Sequence, residues 1–389
     1  MQLMYRDGRF IALCTTVLVI GLFTGGLSSI ATAAVLPEDR ADVLYHRYEG
    51  GGMEIRGPSV LVRKAVSNSV SVSANHYVDK VSAASIDVVT TASPYEEERK
   101  ENSVGLDYLV GKAIYSFAYT KSKENDFTAK AFNFGASQDF FGDLTTLSFG
   151  YAVGEDVVGR TGDPLFQENA DRQHFRFGLT QVITKNMLAS LSHEFITDEG
   201  YLNNPYRQVR YINAAGTGTL NQSEVYPSTR ASEATALRLG YYLPWRSGVH
   251  VEYRIFEDSW GIDSKDWGLT YVHPLPNGWE VEANFRQYEQ SAADFYSDLF
   301  PYQDAQNFLA RDKELSTFDS QSFGVAASWV FLKGRYRLLD RFAVRLAVDR
   351  YSFDYKDFRD VRVPVSVVGT EPLYSFNATV TQMLFSVWY

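Results

Sequence analysis

A single cysteine, Cys14, stands in 389 residues. Beyond it the chain can form no disulfide, offer no thiol nucleophile and build no cysteine metal site. Long apolar runs are missing too: after residue 33 no stretch approaches the ~20 residues a spanning helix needs. Basic residues are outnumbered, 37 Lys and Arg against 47 Asp and Glu, for a net charge of −10. That balance argues against nucleic acid as a partner, because phosphates call for a basic face. The nucleophile elbow G-x-S-x-G, the P-loop, the dinucleotide fingerprint and H-E-x-x-H are all absent. The expectation is a chain that is not an enzyme and has no cofactor and no metal site.

What the chain does have begins with an export signal over residues 1–33. Arg6 and Arg9 form a basic start, Phe10 to Phe23 is apolar, and Ala31-Thr32-Ala33 offers the A-x-A pattern of a cleavage site. An uncleaved anchor is the competing reading, since Phe10 to Ile30 is long enough to span. Gly25, Gly26, Ser28 and Ser29 loosen its second half, as a cleavage region requires. A lipoprotein fits less well, because Cys14 sits deep in the apolar stretch. Removing Arg6, Arg9 and Asp7, a net +1, takes the charge from −10 to −11.

The mature region, 34–389, is rich in aromatics, with 25 Tyr and 26 Phe in the whole chain. Apolar and polar residues alternate along nearly all of it. Leu147, Phe149, Tyr151 and Val153 oppose Thr146, Ser148, Gly150 and Ala152. Val70, Val72, Ala74 and Val78 oppose Ser69, Ser71, Ser73 and Asn75. Phe175, Phe177 and Leu179 oppose His174, Arg176 and Thr180. Trp279, Val281, Ala283 and Phe285 oppose Glu280, Glu282, Asn284 and Arg286. Period-2 patterning alone also fits a soluble sandwich with one wet face. Aromatics grouped at strand ends, Tyr115-Phe117-Tyr119 and Tyr351-Phe353-Tyr355, favour interfacial girdles and hence a transmembrane antiparallel up-and-down β-barrel.

Connections alternate as such a barrel requires. Tight links are expected at Ser67-Asn68, Gly111-Lys112, Phe141 to Asp143, Thr184 to Asn186, Pro244 to Gly248 and Pro276 to Gly278. Long ones are expected at 79–101, 155–171, 196–232, 292–320 and 356–373. Counting back from a descending last strand gives about 16 strands, with 14 possible, and the first strand falls around Asp42 to Glu49.

The end of the chain carries a more specific signal. Met383, Phe385 and Val387 alternate toward a terminal Tyr389, which resembles the assembly signal that the barrel-assembly machinery reads in outer-membrane proteins. The segment Asp79-Lys80-Val81-Ser82-Ala83-Ala84-Ser85-Ile86-Asp87-Val88-Val89-Thr90 resembles an early-loop motif of a family of Gram-negative barrel proteins of unknown function. The family usually has Gly where Ala83 stands and Pro where Ile86 stands. The resemblance implies a barrel in the outer membrane, in contact with outer-membrane lipids and lipopolysaccharide. It implies no activity, so no catalytic residue carries over; it suggests an envelope partner protein, of a redox kind.

Candidate functional residues follow from parity. Asp107, Arg176, Glu194, Arg238, Glu252, Arg254, Glu282 and Arg286 are expected to line the lumen, because a lipid-facing Arg at mid-depth costs ~2–4 kcal/mol. They read equally as a selective eyelet and as an interior salt-bridge network that stiffens the barrel. His193-Glu194 is the one pair that an outer-membrane hydrolase could use as a base; the blander reading is one interfacial His and one lumen Glu. Glu155, Asp156 and Asp163, and Asp294, Asp298 and Asp304, are acidic enough to suggest Ca²⁺, but lack its spacing. Phe295, Tyr296, Phe300, Tyr302 and Phe308 either fold inward as a constriction or face a partner. The readings that follow are a pore for small solutes and, alternatively, a non-conducting barrel that scaffolds an envelope partner.

Overall fold

The computed structural model describes residues 34–83, 95–331 and 339–389. The expected export signal and the motif residues Ala84 to Thr90 lie outside the described residues. Nine strands run first: β1 (Arg40–Gly50), β2 (Met53–Ser67), β3 (Val70–Ala83), β4 (Tyr95–Val110), β5 (Ala113–Lys123), β6 (Phe127–Phe140), β7 (Thr145–Arg160), β8 (Asp163–Thr184) and β9 (Met187–Gly200). A separate hairpin, β10 (Gln208–Ile212) and β11 (Thr219–Ser223), interrupts the next connection. Then come β12 (Thr229–Tyr242), β13 (Gly248–Asp258), β14 (Asp263–Pro274), β15 (Trp279–Gln290), β16 (Phe318–Phe331), β17 (Arg341–Arg359) and β18 (Leu373–Trp388).

All strands except β10 and β11 form one closed antiparallel barrel of sixteen. Closure is made by β1 against β18, in unbroken register from Arg40 opposite Trp388 to Gly50 opposite Ala378. It leaves no strand edge to face lipid, where an unpaired N–H or C=O costs several kcal/mol.

Side-chain alternation sorts the two faces. Phe117, Phe134, Phe149 and Phe177 stand side by side on the outside of β5 to β8, with ring centroids 5.3, 6.4 and 5.2 Å apart. Val251, Tyr253, Ile255, Trp267, Leu269, Val325 and Leu346 continue the exposed apolar belt on the other side. Its lower rim carries Trp279 stacked on Trp329 at 5.5 Å; Tyr45 and Tyr119 mark the upper one. Tyr115, Phe117 and Tyr119 do point outward and are exposed. The second expected girdle group does not. Tyr351, Phe353 and Tyr355 share the inner face with Ala347, and Phe353 and Tyr355 are buried.

Among the described residues one end of the barrel carries short turns, at 68–69, 111–112, 141–144, 185–186, 243–247 and 275–278. In the last of these Asn277 and Gly278 adopt φ of +61° and +81°, the left-handed pair that matches strand twist in a tight hairpin. The connections 201–228, 291–317 and 360–372 all leave the opposite end, which is therefore the extracellular one. The expected long loop at 155–171 is absent: β7 and β8 continue above the belt and turn at Thr161-Gly162. Strands β3 and β4 likewise extend into the expected loop 79–101, as far as Ala83 and from Tyr95.

Candidate functional site

A strand sends every second side chain to the same face, so one inward residue fixes the parity of its strand. All eight expected lumen residues are on the inner face. Seven lie on the contiguous wall from β8 to β15: Arg176, Glu194, Arg238, Glu252, Arg254, Glu282 and Arg286. Asp107, on β4, stands apart from them.

Most of these charges meet a partner across a strand boundary. Arg176 Nε donates to Glu194 Oε1 at 3.1 Å, and His174 Nε2 lies 3.1 Å from Glu194 Oε2. Arg238 Nε donates to Glu252. Arg286 Nη2 donates to Asp266 Oδ2 at 3.0 Å, and Arg345 Nη2 to Glu282 Oε1 at 3.1 Å. Ser116 Oγ donates to Asp107 Oδ1 at 2.6 Å, with Arg63 Nη2 4.0 Å from the other oxygen. Asn284 donates to Asp349 at 3.2 Å. Arg254 differs: it forms no ion pair among the described residues, and its guanidinium lies 5.7 Å from the Phe256 ring centroid.

Inward-facing side chains in a packed interior would be dry. Here Arg176 keeps 43% of its side chain exposed, Arg238 48%, Arg286 30% and Arg345 33%. The wall at this level borders open space that water can fill.

Residues adjacent on a strand point to opposite faces, and this separates His193 from Glu194. His193 is on the lipid side, with Nδ1 2.8 Å from Thr235 Oγ1 and its ring edge on Phe195. The pair therefore stands on opposite faces of β9, as one lipid-side His and one lumen Glu. The acidic residues considered for Ca²⁺ also part. Glu155 and Asp156 alternate along β7, and Asp298 is taken up by arginines. Among the described residues no group of three or more His, Asp or Glu is arranged to hold a metal ion.

Above the wall the extracellular loops fold inward and pack on one another. Short β-bridges join Tyr211 to Phe300, Val225 to Leu309 and Tyr296 to Ala310. Leu202, Tyr226, Trp260, Ala293, Phe295 and Leu315 form one buried cluster with Ala170 of β8, and Phe256 packs against it from the inner face of β13. Phe318, Phe353, Tyr355, Phe358 and Tyr374 form a second against the inner tops of β16 to β18. Of the aromatics in 291–317, Phe295 and Phe300 are buried here, while Tyr302 and Phe308 are exposed.

An ion-pair network ties three loops together. Arg210 of β10 donates through Nη1 to Glu371 Oε1 at 2.7 Å, through Nε to the Asp298 carbonyl at 2.9 Å, and through Nη2 to the Asp298 carboxylate. Arg311 Nη2 donates to Asp298 Oδ1 at 2.9 Å and to the Arg359 carbonyl at 3.1 Å. Burial works to raise the Glu371 carboxyl, but the Arg210 hydrogen bonds outweigh it and hold it below the ordinary range. Burial, with Asp312 nearby, pushes the Glu224 carboxyl up, even though the Arg311 N–H donates to it at 2.8 Å. Tyr206, whose hydroxyl donates to Asp126, anchors the cap to the β5–β6 turn; burial and that carboxylate push its phenol up to about 12. Because β12 and β9 lie six and seven strands from β18 around a barrel of sixteen, the Arg210–Glu371 contact bridges most of the mouth.

Alternation named both members of the Arg176–Glu194 and Arg238–Glu252 pairs but passed over Asp266, Arg345, Asp349 and His174, which the same pattern would have marked. Arg210, Arg311 and Glu371 had no periodic signal to find. At the end of the chain Met383, Phe385 and Val387 face outward on β18, and the Tyr389 hydroxyl donates to the Arg63 carbonyl at 3.0 Å.

A closed sixteen-strand wall, apolar outside and charged within, is a β-barrel of the outer-membrane type. Residues 55–348 match the family described as "Protein of unknown function (DUF3570)". No curated protein matches the chain. Among solved structures it is similar to a bacterial polysaccharide outer membrane secretin, at 7% identity over 91% of this chain and 99% of that one, with a TM-score of 0.48. It is similar to OpdK of Pseudomonas aeruginosa, crystallised with vanillate, at 9% identity over 90% and 98%, TM-score 0.43. OmpT of Vibrio cholerae matches at 9% identity over 92% and 100%, TM-score 0.40.

Proposed function

The chain belongs to the DUF3570 family of proteins of unknown function, and from its lumen wall we propose that it is a channel passing small hydrophilic solutes across the outer membrane. The carrying observation is the exposure of paired inner-face charges, Arg176, Arg238, Arg286 and Arg345, beneath the cap. Pairing fixes the geometry of these groups, and water next to them keeps a path for polar solutes. Arg254, unpaired, is the group on this wall best placed to bias the path toward anions. Conduction then depends on the cap, so openings are brief at rest and lengthen when its network is broken. Planar-bilayer recording of the purified protein tests this. A silent bilayer with both the native protein and Arg210→Ala would end the channel reading.

The reading assigns no catalytic step to the chain. Export through a signal peptide is part of it, and amino-terminal sequencing of the mature protein should then begin at Ala34. So is recognition of Met383, Phe385, Val387 and Tyr389 by the barrel-assembly machinery. The interlocked cap favours a second reading, a non-conducting barrel that presents a surface to an envelope partner of a redox kind. Co-purification of a stoichiometric partner together with a silent bilayer would support it instead.

A further inference from the structure

The charge of the outer surface is distributed against the trend of the chain. Just above the aromatic rim, at the extracellular end of β1 to β6, the lipid-side face carries Arg47, Arg56, Lys80, Lys100, Lys121, Lys123 and Lys130. Like charges stand directly opposite each other on neighbouring strands: Arg47 on Arg56, Arg56 on Lys80, Lys100 on Lys123, and Lys121 on Lys130. Such pairs are destabilising in a sheet. Three carboxylates offset part of the repulsion. Glu49 and Glu54 pair with Arg47 at 3.0 Å, Glu54 lies 3.6 Å from Arg56, and Glu98 pairs with Lys100 at 2.6 Å and lies 3.9 Å from Lys80. Lys121, Lys123 and Lys130 have no ion pair among the described residues and are exposed. Glu155 stands across from Lys130 without forming one.

Arg47 and Lys121 come two residues above Tyr45 and Tyr119, so the cluster lies where outer-leaflet headgroups begin. Lys100, Lys121, Lys123 and Lys130 occupy three adjacent strands, a patch about 10 Å wide at ~4.8 Å per strand. We propose that this patch is a binding site for a phosphorylated lipid of the outer leaflet, the lipid A portion of lipopolysaccharide, whose phosphates supply the counter-charge that the three lysines lack. The proposal is independent of whether the lumen conducts.

The test uses the full-length protein in detergent and three probes: phosphorylated lipid A, the same lipid dephosphorylated, and inorganic phosphate. Native mass spectrometry and a binding titration read the outcome. The native protein should retain phosphorylated lipid A and discard the dephosphorylated form. Lys121→Gln/Lys123→Gln/Lys130→Gln should bind about 100-fold more weakly at low salt, with the gap narrowing as salt screens the site. The corresponding triple Arg variant should restore binding, and heat-modifiable gel mobility checks that each barrel is folded. Equal binding by the Gln variant overturns the proposal. So does failure to distinguish the two lipids, or competition by inorganic phosphate at equal affinity.

Discussion

Removing the Arg210 side chain should open the mouth. The guanidinium is buried and serves Glu371 through two nitrogens, at 2.7 and 3.2 Å, and Asp298 through its carbonyl and carboxylate. In Arg210→Ala, Asp298 keeps Arg311, but Glu371 loses its arginine and keeps only backbone donors, among them the Gly369 N–H at 3.0 Å. Breaking one side of a buried ion pair costs ~3–5 kcal/mol, and the surviving Arg311 contact places this case at the low end. About 3 kcal/mol taken from the closed cap raises the ratio of open to closed by roughly 150-fold. Single-channel recording should show open probability rising by about two orders of magnitude at unchanged unitary conductance, since the wall residues are untouched. Limited proteolysis of intact cells should cleave 291–317 faster. Arg210→Lys, which keeps the charge and loses the fork, should fall between. Native open probability and native protease resistance in Arg210→Ala would refute the idea that this network holds the cap.

Acid should act through the same network. The Glu371 carboxyl is held below its ordinary 4.5, so its contribution to closure is complete at neutral pH and is lost as pH falls from that value through the lowered one; openings should become more frequent there, and Glu371→Gln should flatten the dependence. Arg254→Glu should move the reversal potential in a salt gradient toward cation preference, and an unmoved potential would remove Arg254 from the conduction path. Phe149→Arg, in the middle of the lipid-facing belt, should cost ~2–4 kcal/mol of unfolding free energy in vesicles, read from a urea titration; a loss near zero would place that face in water.

The barrel was legible because lipid imposes one rule on every strand within the belt. Leu147, Phe149 and Tyr151 alternate with Ser148 and Gly150 because one face meets hydrocarbon and the other meets water. The same rule placed Arg176 through Arg286 inside. It stops at the belt's upper edge. On β7 and β8 the outward residues there include Glu155, Asp171 and Asn169, so the apolar outer stripe is broken and a continuing strand reads as a loop. At the top of β17 the chemistry inverts: Tyr351, Phe353 and Tyr355 face inward to receive the cap, and alternation alone supplies no reason to prefer that side. Arg210, Asp298, Arg311 and Glu371 come from three loops, as far apart as 161 positions in the chain for Arg210 and Glu371. Nothing local in any loop announces the others.

The seam between the first and last strands has a bearing on how the molecule comes into being. Arg40 stands opposite Trp388, so the final cross-strand ladder waits for strands far apart in the polypeptide to meet. Until then the growing curl carries two raw margins, each a template for the wrong neighbour. Biogenesis is thus a race between zipping this one suture and pairing with a stranger, and a helper that guards the two margins would decide the yield more than any single residue of the wall.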